Sequence, residues 1–113
     1  FAIAIDASSN PLLKPESLRV MQERPSFLDS ADDRWYGLGW NARSADSPQR
    51  INLWHEGVFA GSSAILVKRW DQCVWAVLFN VDESKDAVNC AALIDEPMYS
   101  AVDRLISEAE APE

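Results

Sequence analysis

A chain of 113 residues with 48% apolar residues and five Trp has enough material for one small buried core, and it lacks the composition of a disordered segment. Its formal charge of −8, with only ten scattered Lys and Arg, argues against nucleic acid or an anionic membrane surface as partner. No apolar run approaches the ~20 residues of a membrane span. Two Cys and a single His, at spacings unlike a zinc finger or a Cys-x-x-Cys pair, predict no metal site and no cofactor.

The chain opens on Phe1-Ala2-Ile3-Ala4-Ile5, an apolar run that reads as the end of a helix, followed by a turn cluster from Asp6 to Pro11. A domain that starts inside a helix is expected to have lost upstream sequence, so residues 1–113 are taken as one partial domain. Leu13 to Gln22 predicts a short helix. Pro15 suits its first position, Glu16 its positive N-terminal end, and Leu13, Leu18 and Met21 share one side. Arg24-Pro25 ends it, and Ser26 to Arg34 is a polar loop that includes Asp29, Asp32 and Asp33. Trp35 to Arg43 predicts a first strand, which Gly37 and Gly39 weaken unless something approaches their backbone closely.

Asp46-Ser47-Pro48 is a turn leading into a second strand, Ile51 to Gly57. Ser63 to Trp70 and Cys73 to Asn80 predict a third and a fourth strand joined as a hairpin. Asp71-Gln72 lacks the Gly that two-residue turns favour, so a longer bend is expected. Both strands are apolar on both faces and are expected to be central and covered on each side. Asp82 to Asp86 is a charged turn, and Ala87 to Ile94 fits either a helical turn or a loop. Asp95 is the expected cap of a final helix with Pro97 in its first turn and Met98, Val102, Leu105, Ile106 and Ala109 as its apolar stripe. The fold class is α+β, an antiparallel strand meander flanked by helices. The helices are too few to cover both faces of the sheet, which again points to a missing segment.

The chemistry-bearing residues fall in three short motifs: Tyr36-Gly37-Leu38-Gly39-Trp40, His55-Glu56-Gly57 and Gly61-Ser62-Ser63. In this order and rough spacing they resemble the C-terminal part of the penicillin-recognising serine hydrolases, the superfamily of class C β-lactamases, DD-peptidases and related esterases. The resemblance implies the C-terminal part of a β-lactamase/transpeptidase-like fold, whose N-terminal part would be the partner of this segment. It also implies that the Tyr-Gly-x-Gly-Trp strand lies close beside the strand carrying the His-x-Gly motif. His55 would then assist proton transfer or hold a substrate carboxylate, and the Val58 N–H would supply one oxyanion donor. Gly57 would leave room for a small-molecule acyl substrate, with Glu56 and Tyr36 as further substrate-binding candidates.

Glu56 stands where Thr, Ser or Gly is usual, and its carboxylate disfavours an anionic substrate. That favours an esterase-like or lapsed member over a β-lactamase or DD-peptidase. The sequence contains no Ser-x-x-Lys, no Tyr-x-Asn and no Gly-x-Ser-x-Gly, so the nucleophile and its base are absent and the chain alone is expected to be inactive. Two other readings stand beside this one: a stand-alone α+β module for a ligand or protein partner, and a non-catalytic relative of the hydrolases. Ser62 and Ser63 read as turn residues and Cys73 as a small hydrophobe, and a Cys73–Cys90 disulfide is left open. Strands left without a neighbour would offer an open edge for dimerisation.

Overall fold

Helix α1 (Pro15–Gln22) leads into five strands, β1 (Arg34–Tyr36), β2 (Asn41–Ser44), β3 (Ile51–Phe59), β4 (Ser62–Lys68) and β5 (Val74–Phe79), and the chain closes on helix α2 (Cys90–Glu110). These elements come from a computed structural model that describes residues 12–29 and 33–110. The expected helix end at Phe1 to Ile5, the turn cluster from Asp6 to Pro11 and the middle of the Ser26 to Arg34 loop lie outside the described residues. The strands form one antiparallel sheet in the order β1-β2-β3-β4-β5, so the fold is α+β with an antiparallel meander as its sheet. Two compact units divide the described residues: those up to 55 with 66–76, and residues 56–65 with 77–110.

In the first unit, the expected single strand from Trp35 to Arg43 is instead a hairpin, which raises the strand count from four to five. Trp35 faces Ala42 and Tyr36 faces Asn41, and the Gly37 N–H closes the turn on the Trp40 carbonyl at 2.8 Å. Gly39 makes that turn possible with φ at +81°, a conformation an L side chain resists. Close approach to the glycine backbone does occur, but its source is α1 rather than the motif strand. The Leu38 N–H donates to the Met21 carbonyl at 3.0 Å, and a Cβ on Gly37 would overlap that same oxygen. The Trp35 indole N–H donates to the Gln22 carbonyl at 3.0 Å. Two carbonyls at the C-terminal end of an eight-residue helix are thus satisfied by the hairpin. So short a helix is marginal alone and depends on this docking.

Around that contact lies the first unit's core, Trp35, Trp40, Ala42 and Leu53, with Leu18, Met21, Leu28, Ile51, Leu66 and Val74 packed against it. Leu18 and Met21 supply the expected apolar side of α1, whereas Leu13 precedes the helix. The bend between β4 and β5 is longer than two residues, as the missing Gly implies. The Arg69 N–H donates to the Cys73 carbonyl at 2.8 Å and the Gln72 N–H to the Arg69 carbonyl at 3.2 Å, with Gln72 in the left-handed region at φ +68°. Asp71 holds this loop. Its carboxylate accepts from the Arg69 guanidinium at 2.7 Å and from the Cys73 N–H at 3.3 Å. Burial pushes the Asp71 carboxyl up, but these hydrogen bonds and the Arg69 charge outweigh it and hold the group below its ordinary range.

In the second unit, α2 starts earlier than expected. Asn89, not Asp95, is the cap, its side-chain oxygen accepting from the Ala91 N–H at 2.8 Å. Pro97 consequently sits in the helix interior, where it forfeits one backbone bond, rather than in the first turn. Ala87 to Ile94 is therefore divided, with an isolated bridge between Glu83 and Asn89 followed by helix. Met98, Val102 and Ile106 form a half-buried stripe, but Leu105, expected in it, is 64% exposed. The expectation that both hairpin strands are central is corrected as well. Among the described strands β5 is the sheet's edge, with Leu78 79% exposed. Cys73 is half-buried and Cys90 buried, and both thiols are free.

Two outcomes follow for stability. Gly37→Ala forces a methyl group into the Met21 carbonyl and is expected to lower stability by about 3 kcal/mol in urea denaturation. Asp71→Asn is expected to lower the urea midpoint at pH 7. A depressed folded-state pKa gives stability that is present above the unfolded value, about 3.9, and lost as pH falls through the folded value. The gap between Asp71→Asn and the parent chain should therefore close as the titration is carried below pH ~4.

Candidate functional site

Strand β3 carries the candidate residues, and its first half is fixed by the first unit. Ala42 faces Leu53 in the core and Asn41 faces Trp54. The Asn52 side-chain oxygen accepts from the Trp70 N–H at 3.1 Å, and the Arg43 guanidinium lies 5.7 Å from the Trp54 ring centre. With residues 52–54 anchored this way, the next side chain along the strand is His55.

The sheet brings His55 to Tyr36, 19 residues earlier in the chain. The phenol oxygen lies 3.2 Å from Nε2, and the rings meet edge to face with centres 6.2 Å apart. Both side chains are exposed, so the pair is open to a ligand. Tyr36, a candidate for substrate contact, is thus occupied with His55. No spacing rule announces this meeting, because it depends on the hairpin that splits the first strand.

In the second unit, Glu56 is half-buried, and Gly57 and Val58 line an open pocket of about 330 Å³ together with Phe59, Ser62, Ala64 and Leu78. Its walls are mainly apolar and exposed, Val58 at 57% and Phe59 at 79%. A Cβ added at Gly57 meets nothing within 4 Å, and the backbone there is not left-handed. The fold of the described residues does not require glycine at this position.

Ser63 is a structural residue, its hydroxyl donating to the Val81 carbonyl at 2.9 Å, while Ser62 is exposed beside the turn. Asp82, read from sequence only as part of a charged turn, has a definite task. The Gly61 N–H donates to its carboxylate, and this bond first, with those from its own N–H and the Glu83 N–H, holds the carboxyl below its ordinary range. An Asp shortly after a strand, opposite a Gly turn, was the available signal. Identifying the turn it serves required knowing which strands pair.

Chemically, the first unit offers a phenol and imidazole in hydrogen-bond contact, and the second offers a glycine that leaves space and an apolar pocket. No cluster of metal-ligating side chains occurs among the described residues. A separate open pocket of about 260 Å³, lined by Arg19, Arg24, Trp35 and Ser44 among others, contains none of the candidates. No family model, curated protein or solved structure matches the chain.

Gly57→Ala is the direct check on the space at this position. It is expected to raise stability by about 0.5–1 kcal/mol in urea denaturation, as Ala does in place of a strand glycine where the added methyl meets nothing. The contrast with Gly37→Ala separates a glycine the fold needs from one it does not.

Proposed function

We propose that this chain forms one wall of the acyl-transfer site of a β-lactamase-like serine hydrolase, acting on an ester or amide, with the serine nucleophile and its base supplied from outside these residues. Gly57 is the observation that carries this reading. It directly follows His55-Glu56, has an ordinary backbone conformation, and borders open space that a substrate could use. In this reading His55 contacts the substrate and Gly57 lets it lie along β3. The Val58 N–H donates to the oxyanion, a contribution of roughly 3 kcal/mol in comparable sites. Glu56 repels a substrate carboxylate, so an uncharged ester is favoured over a penicillin-like anion. The apolar walls formed by Val58, Phe59 and Leu78 suit an apolar acyl or alcohol group.

Those same exposed walls favour a second reading, a binding module that holds an apolar ligand and performs no chemistry. Activity separates the two. The coding sequence preceding Phe1 should encode a Ser-x-x-Lys, and the longer product should hydrolyse p-nitrophenyl esters. His55→Ala in that product should lower kcat/KM by about 100-fold, while the 113-residue chain alone shows no turnover. A coding sequence without the nucleophile, or ester turnover by this chain alone, overturns the hydrolase reading.

A further inference from the structure

We propose that Tyr36 is a positioning residue that holds the neutral His55 ring with its proton on Nδ1, so that the ring offers a substrate oxygen a hydrogen-bond donor instead of a base. The contact between the phenol oxygen and Nε2, at 3.2 Å, can be made in two ways. Either the phenol donates to an Nε2 lone pair or an Nε2–H donates to the phenol. A phenol is a good donor, whereas its oxygen lone pairs are partly delocalised into the ring and accept poorly. The pyridine-type nitrogen of neutral imidazole is the more basic acceptor. The first arrangement wins. It consumes the only lone pair of the neutral ring and leaves Nδ1 carrying the proton.

Tyr36 is suited to this task because its backbone is fixed even though its side chain is 54% exposed. On one side Trp35 is buried and bonded to the Gln22 carbonyl, and on the other Gly37 and Leu38 are held against the end of α1. His55 follows the anchored residues 52–54 of β3. Two rigid backbones therefore present the phenol and the imidazole to one another.

The consequence for ligand chemistry rests on the hydrolase reading above. A ring with Nδ1–H and an engaged Nε2 cannot abstract a proton, but it can bind the oxygen of a carbonyl or an ester. The group selected is an acyl oxygen that accepts from Nδ1–H.

The sequence contains a single His, so the ring can be read without assignment ambiguity. In the two-bond ¹H–¹⁵N spectrum of the ¹⁵N-labelled chain at pH ~8.5, where an ordinary imidazole is neutral, Nδ1 is expected in the protonated range and Nε2 in the lone-pair range. Tyr36→Phe removes only an exposed hydroxyl. It should leave the backbone amide spectrum unchanged away from residues 36 and 55 while the ring reverts to the Nε2–H form that free imidazole side chains favour in water. A proton on Nε2 in the parent chain overturns the proposal, as does an Nδ1–H form that persists in Tyr36→Phe. Should Tyr36→Phe fail to fold, the tautomer of the parent chain decides alone. Neither measurement needs a nucleophile or a substrate. An Nε2–H result removes the role of Tyr36 and leaves the hydrolase reading standing, whereas a missing nucleophile removes the hydrolase reading and leaves the tautomer intact.

Discussion

The end of α1 is where the first unit is decided. A helix of eight residues leaves carbonyls at its C-terminus that must find donors once hairpin and core close over them. Two of those carbonyls, on Met21 and Gln22, find the Leu38 N–H and the Trp35 indole. This pairing leaves residue 37 no room for a Cβ, and the hairpin that supplies the donors turns between Tyr36 and Asn41 and carries Trp35 into the core beside Ala42 and Leu53. The site depends on the same pairing, because Tyr36 stands between the two anchored residues.

Gly37 and Gly57 show how alike two residues look in a sequence and how differently they act. Each is a glycine in an aromatic stretch with strand character. One is enclosed by a carbonyl that leaves no room for a methyl group, and the other borders empty space. The first is explained by packing. The second has no such explanation within the described residues, and the proposed function gives it one. Glycine in a strand costs about 0.5–1 kcal/mol relative to Ala, so a position that keeps it without a packing reason is a candidate for contact with something else.

Most elements were legible because local chemistry and tertiary environment agree. Pro15 and the spacing of Leu18 and Met21 mark α1, and the apolar runs at 63–70 and 73–80 mark β4 and β5, with a loop longer than two residues because Gly is missing there. The departures have physical causes that no local pattern reports. Trp35 to Arg43 reads as one strand because its alternation is continuous, and only the carbonyl of Met21 shows that the chain must fold back. The start of α2 differs from the expected one because Asp95 followed by Pro97 has the local pattern of a helix start, whereas the helix is capped by Asn89 and carries Pro97 as an interior defect. At the site, His55 and Gly57 could be singled out from their motif. The partnership of His55 with Tyr36 could not, because it is made across an intervening strand.

That partnership restricts the chemistry more than the motif does. Under the proposed tautomer, the one imidazole in the sequence has its lone pair committed to the Tyr36 phenol. Proton abstraction would then have to be performed by whatever carries the nucleophile, which is the arrangement a Ser-x-x-Lys provides, since residues three apart on a helix meet on one face. His55 would be left to bind and orient, with an N–H from the ring toward an acyl oxygen. A division of labour of this kind would make this segment inert alone without making it dispensable, because donors held in place before the reaction lower the barrier only when they are aimed at charge that another group creates.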